Sequence, residues 1–154
     1  MEAKSQEYLD KYLESLTDSE RDRYHSFSAD YFCADEKNAN LCAGLISIGQ
    51  KTATCSLKYG YEYDDEPIPV IGHLMIVNNW DGAPICIVEI TSVEQCKYSD
   101  VTAEFAFLEG EGDRSLEWWK KAHWSFFAKE CEELNIEPCE DMMLVLEKFH
   151  VVYQ

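Results

Sequence analysis

Basic side chains are scarce in this sequence. Its 154 residues carry 13 Lys and Arg against 30 Asp and Glu, a formal net charge of −17. Sequence-independent affinity for a polyanion comes from cations laid on phosphates, so a protein that wraps duplex DNA or long RNA is disfavoured. A small pocket with one or two cations remains compatible with a nucleoside or a short RNA end, while the field of the remaining surface repels a long polyanion. Long apolar runs are missing too. The longest are far too short to span a bilayer, and no membrane partner is expected. Met1 to Lys11 is polar and charged, unlike a secretory leader. Cys-x-x-Cys is absent although there are 7 cysteines, and the 4 histidines do not stand at ligand spacing from them. The expectation is reduced thiols in a cytoplasmic protein, with no metal and no cofactor.

What is present argues for a packed domain. Hydrophobic residues make up 46% and aromatics 13%, more than a disordered chain carries. The length suits one domain with a real core. Residues 1–30 read as an N-terminal helical extension packed on a domain spanning 31–154.

Local signals place the elements. Tyr8, Leu9, Tyr12, Leu13 and Leu16 mark one face of a helix over 6–16. Thr17-Asp18-Ser19-Glu20 has the pattern of a capping box opening a short second helix to about Tyr24. Ser26 to Cys33 reads as irregular. Asp35 caps a helix from Glu36 to Ile48, and Gly49 stands where a C′ glycine belongs. Thr52 to Leu57 reads as a strand. Lys58 to Val70 reads as a long polar connection stiffened by Pro67 and Pro69, a kind of loop that is often functional. Its Tyr59, Tyr61 and Tyr63 either continue the strand or pack at a rim, and an aromatic edge there would stack a base. Gly72–Asn78 and Ala83–Val93 form a hairpin around Asn79-Trp80-Asp81-Gly82. Glu89 stands alone in an apolar strand. Asp100 caps a helix from Val101 to Leu108, and Ser115 or Asp113 caps a long one from Leu116 to about Leu134. Met142 to Tyr153 reads as a terminal strand paired in the sheet. Strands do not alternate singly with helices, so the expected class is α+β: a small, mostly antiparallel sheet or partly closed barrel with flanking helices.

Chemistry concentrates in two stretches. The first is Gly49-Gln50-Lys51-Thr52-Ala53-Thr54-Cys55-Ser56, a cation and several hydroxyls where a helix ends and a strand begins. Thr52, Thr54 and Ser56 share one face of that strand, and Lys51 approaches Thr54 only from the turn after Gly49. A threonine hydroxyl is a weak nucleophile without a base, and a lysine serves as base only when burial lowers its proton affinity. A glutamate nearby opposes this. Either the lysine stays charged and stabilises an anion, or the glutamate carries the proton. The second stretch is Glu109-Gly110-Glu111-Gly112-Asp113-Arg114. Its glycines allow backbone to approach a ligand, and Arg114 suits a planar or phosphate contact. It also reads simply as a connection whose acids favour the next helix start.

Gly49-Gln50-Lys51-Thr52-Ala53-Thr54 resembles the Gly-x-Lys-x-x-Thr signature of the ASCH family, the activating signal cointegrator homology domains. Glu104 through Ser115, followed by Trp119 and His123-Trp124, is similar to the second signature of a bacterial ASCH subfamily. Ile71-Gly72 and Val88-Glu89-Ile90 fall where that family has its central hairpin. The resemblance runs from about Phe32 to Tyr153. It implies a PUA-like fold and a cleft for RNA or nucleosides. Some small members are amidohydrolases that deacetylate N4-acetylcytidine with a Lys, Thr and Glu set, and others are reported as ribonucleases. Carried over by motif, the catalytic set is Lys51, Thr54 and Glu109, the last preferred to Glu111. Thr52, Ser56, Tyr59, Glu111 and Arg114 are the expected binding residues. A non-catalytic RNA- or nucleotide-binding module in the same cleft is the alternative. This chain departs from the small amidohydrolases in its length and in Cys55-Ser56 after the threonine.

Overall fold

The computed structural model describes residues 1–154. In chain order its elements are α1 (Ala3–Ser15), α2 (Asp18–Arg21), β1 (Phe27–Asp30), α3 (Glu36–Ser47), β2 (Ala53–Leu57), α4 (Lys58–Tyr63), β3 (Leu74–Asn78), β4 (Pro84–Lys97), α5 (Ala103–Glu109), α6 (Leu116–Glu133) and β5 (Met143–Tyr153). The strands form one sheet in the order β1-β3-β4-β5-β2. β1 pairs parallel with β3, β3 pairs antiparallel with β4, and β2 pairs antiparallel with β5. The class is α+β with a mostly antiparallel sheet and flanking helices. No helix is long and apolar enough to cross a membrane.

The chain divides into two compact units. One holds residues 1–50, 70–92 and 149–154; the other holds 51–69 and 93–148. In the first, the two faces of β3 are covered by different helices. Leu74 and Ile76 pack with Leu9 and Tyr12 of α1, whereas Val77 packs with Ala43 and Ile46 of α3. The period-two alternation of the strand produces this division. In the second unit, Ala53 and Leu57 of β2 meet Leu144 and Leu146 of β5, Phe105 and Ala106 of α5, and Trp119, Phe127 and Cys131 of α6.

Several local readings hold. Thr17 Oγ1 accepts from the Glu20 amide at 3.2 Å while Glu20 Oε2 accepts from the Thr17 amide at 2.8 Å, a complete capping box. Asp35 caps α3. Gly49, at φ +78°, closes that helix in a Schellman motif, with Gln50 N donating to Leu45 O and Gly49 N to Ile46 O.

Three readings are corrected. Residues 27–30 are a strand rather than irregular, because an edge strand this short needs only the parallel ladder to β3 and no alternating apolar face. Lys58 to Tyr63 is a helical turn, not loop or strand. It brings Tyr59 and Tyr63 onto one side with ring centroids 6.4 Å apart, the i, i+4 neighbours of a helix. Thr102, not Asp100, caps α5, since Asp100 is absorbed into a 3₁₀ turn over Tyr98–Asp100. Ser115 caps α6, and Asp113 in turn accepts from the Ser115 amide and hydroxyl.

Two glycines at positive φ give a graded test. A Cβ at Gly49 meets nothing within 4 Å, whereas one at Gly112, φ +60°, collides with the Trp118 ring. Gly49→Ala is expected to cost about 1 kcal/mol from left-handed backbone alone. Gly112→Ala should cost roughly 1–3 kcal/mol more for displacing the ring. Urea denaturation of both variants measures this, and equal losses would show that Trp118 moves aside freely.

Candidate functional site

The Schellman turn ends α3 and sends the chain into an extended segment before β2. Thr52 N donates to Leu108 O at 2.8 Å, and its hydroxyl reaches the same carbonyl at 3.4 Å. The start of β2 is thereby tied to the last turn of α5. Gly110, at φ +74°, ends α5 immediately after Glu109. These two chain ends bring the cation and the carboxylates together.

Lys51 is 2% exposed and so is Glu109. The Lys51 Nζ donates to Glu111 Oε2 at 3.0 Å, Glu109 Oε1 at 3.2 Å and Ala53 O at 2.9 Å, with Glu109 O at 3.4 Å. An ammonium has three protons and no lone pair, so this cage of acceptors is built for the charged amine. Lys51 is therefore a buried cation and donor. Glu111 is the outermost member, its side chain 17% exposed.

Glu109 is satisfied on both oxygens. While Oε1 takes the lysine, Oε2 accepts from the Trp119 indole Nε1 and from Cys55 Sγ at 3.4 Å. Burial, with the Glu109 charge beside it, holds the Cys55 thiol well above its usual range. His123 stacks on the Trp119 ring with centroids 4.3 Å apart, and its Nε2 stands 3.4 Å from Glu109 Oε2. The His123 Nδ1 faces Trp119 O at 2.9 Å. A carbonyl only accepts, so Nδ1 carries a proton.

Of the residues singled out by sequence, Lys51, Glu109 and Glu111 come together. Thr54 and Ser56 alternate with Ala53, Cys55 and Leu57, which face the α5–α6 core, so they occupy the other face of β2. There Thr54 is the cross-strand partner of Glu147, and Ser56 lies beside Tyr61. Tyr59 is on α4, 38% exposed. Arg114 lies over the Phe107 ring, 3.6 Å from its centroid, and donates to Phe107 O through Nε at 3.1 Å and Nη2 at 3.0 Å. It closes the turn after α5.

Sequence reasoning missed Cys55, Trp119 and His123 around Glu109, and it missed Glu147. Trp119 and His123 recur four apart, a helix-face signal, and follow Glu109 in the second signature, but neither was given a role at the site. Glu147 sits in an apolar strand, 7% exposed, and burial pushes its carboxyl up to about 7.

Two consequences are measurable. The first concerns Lys51. Removing it leaves a buried carboxylate without its cation, which costs about 3–5 kcal/mol. Lys51→Met should lose about that much in chemical denaturation, and adding Glu109→Gln should restore a large part of it. Additive losses would deny the coupling. The second concerns Glu147. Its folded value lies above the unfolded 4.5, so the folded state holds a proton that the unfolded state releases. Stability falls as pH rises through 4.5 to 7, by about 3 kcal/mol in all. Glu147→Gln does not titrate. Its stability relative to the parent should therefore rise by about that amount between pH 4.5 and 8 in urea melts, and a flat difference would count against the burial argument.

The family model of the ASCH domain matches residues 28–153. Among solved structures, the ASCH domain of Lactobacillus crispatus JV V101 superposes with a TM-score of 0.97 at 58% identity, covering 100% of this chain and 97% of that one. A protein of Enterococcus faecalis V583 superposes with a TM-score of 0.79 at 28% identity, over 96% of this chain and 85% of that one. No curated protein matches the chain in sequence.

Proposed function

The chain belongs to the ASCH domain family, with a PUA-like fold, and we propose that it acts on a nucleoside or a short RNA end through the Lys51–Glu109–Glu111 centre, hydrolysing an acyl amide of N4-acetylcytidine type. The observation that carries this reading is the buried Lys51 ammonium held by Glu109 and Glu111. ASCH domains are generally thought to bind RNA. The net charge of −17 favours a small, weakly charged ligand over a long strand.

In this reading Lys51 does not serve as a base. It is a fixed positive charge that favours the oxyanion formed when an amide carbonyl is attacked. Its protons are held by Glu109, Glu111 and Ala53 O, so it acts through charge and not as a free donor. Glu111, at the solvent-facing edge, accepts the proton of the attacking group and returns it to the leaving amine. Glu109 holds the lysine in place. Thr54, the nucleophile by motif, stands with Glu147 on the opposite face of β2, so in this reading the group attacking beside Lys51 and Glu111 is a water.

The alternative, a non-catalytic nucleotide-binding module, uses the same centre. Its support is the completeness of the lysine cage, which leaves no donor idle in the free protein.

The test is turnover of N4-acetylcytidine and related acylated nucleosides, followed by chromatography. Lys51→Ala and Glu111→Gln are each expected to lower kcat/KM by about a hundredfold or more while circular dichroism stays unchanged. A like loss in Thr54→Ala assigns the hydroxyl as nucleophile, and full activity there assigns a water. No conversion of any acylated nucleoside, with retained binding of short RNA that weakens with salt by a slope of one or two phosphates, would establish the binding module instead.

A further inference from the structure

Cys55, Glu109 and His123 are 68 positions apart along the chain at their extremes, yet one ligand-type atom from each lies within 4.8 Å of the others. Cys55 Sγ is 3.4 Å from Glu109 Oε2, and His123 Nε2 is also 3.4 Å from it. A tetrahedral zinc ion has bonds of about 2.3 Å to sulfur and about 2.0–2.2 Å to nitrogen and oxygen. Those lengths put neighbouring ligand atoms roughly 3.4–3.6 Å apart. The two separations to Glu109 Oε2 match that edge length, and the third, between Cys55 and His123, is within 4.8 Å.

The hydrogen bonds around the three groups are also those of a ligand set. His123 Nδ1 donates to Trp119 O, which fixes the tautomer and leaves the Nε2 lone pair directed at Glu109. Outer partners of this kind orient metal-bound imidazoles. In neutral His123 that contact sets an acceptor against an acceptor, and a cation between them would relieve it. Glu109 Oε1 is occupied by Lys51 and Oε2 by the Trp119 indole, so the carboxylate is rigidly aimed. Charge also balances. One ammonium, Lys51, against two carboxylates, Glu109 and Glu111, leaves one negative charge. Exchanging the Cys55 thiol proton for a divalent cation adds one positive charge and cancels it.

The geometry points to a divalent-metal site at Cys55–Glu109–His123 that takes zinc, with the thiolate, one carboxylate oxygen and the imidazole Nε2 as protein ligands. Three protein ligands leave a fourth position open. Binding releases the thiol proton to solvent and changes no oxidation state. The site shares Glu109 with the proposed nucleoside centre but does not rest on that reading, because metal content is read without any substrate.

The experiment is titration of metal-free protein with Co²⁺ as a spectroscopic probe, followed by displacement with Zn²⁺. One Co²⁺ per chain is expected, with a thiolate-to-cobalt charge-transfer band and the visible bands of a tetrahedral ion. Cys55→Ser should abolish the charge-transfer band. His123→Gln should weaken binding on the order of a hundredfold, at least what losing an outer partner costs. X-ray absorption of the zinc-loaded parent protein should read one sulfur and one imidazole, which keeps the test independent of how either variant folds. Absence of the band at stoichiometric Co²⁺, its persistence in Cys55→Ser, or a zinc shell without sulfur would overturn the assignment.

Discussion

The second unit depends on one buried ion cluster. Taking an ammonium and a carboxylate out of water costs several kcal/mol for each, and the cost is offset only when every donor and lone pair is met. Here they are met. Lys51 spends its protons on Glu109, Glu111 and a main-chain carbonyl, while Glu109 is also held by Trp119 and Cys55. This arrangement needs a turn that delivers Lys51 inward and a helix end that stops at Glu109. Gly49 and Gly110, both left-handed, supply those stops.

The two faces of β2 carry different kinds of polarity. One face meets the apolar core and, through Cys55, the satisfied ion cluster. The opposite face carries Thr54 and Ser56, with Glu147 across the ladder. Burial raises the Glu147 carboxyl to about 7. A satisfied cluster rigidifies, whereas an acid raised by burial to about 7 weakens the fold as pH rises towards neutrality. Residues kept at a cost to stability are candidates for function. The Lys51–Glu109–Glu111 centre and the Thr54–Glu147 pair thus lie on opposite faces of β2.

The surplus of acid elsewhere shapes what such a site can serve. A uniformly negative surface disfavours the approach of a long polyanion. It does little to a neutral nucleoside, whose recognition rests on short-range hydrogen bonds. The chain belongs to the ASCH family, and its net charge of −17 sets the electrostatic surroundings of any ligand it takes.

The sequence by itself determined whatever a few neighbouring residues decide. The capping box at Thr17 and Glu20, the Asp35 cap, the Schellman glycine at 49 and the hairpin turn at 79–82 are all local hydrogen-bond or backbone-angle problems. Their solutions are written in the residues that pose them. The nearness of Lys51 to Glu109 and Glu111 was legible only because two motifs stand at a familiar separation. Tertiary structure alone decided the rest. β1 is a strand because β3 offers it a ladder, and its own Phe-Ser-Ala-Asp carries no alternation to announce one. The tyrosines of α4 wind into a helical turn although their spacing also fits a strand. Cys55, Glu109 and His123 meet because α5 and α6 both pack on β2, and Glu147 is buried because β5 lies inside the sheet. Contacts between residues far apart in the chain depend on how whole elements dock, and no local pattern encodes that.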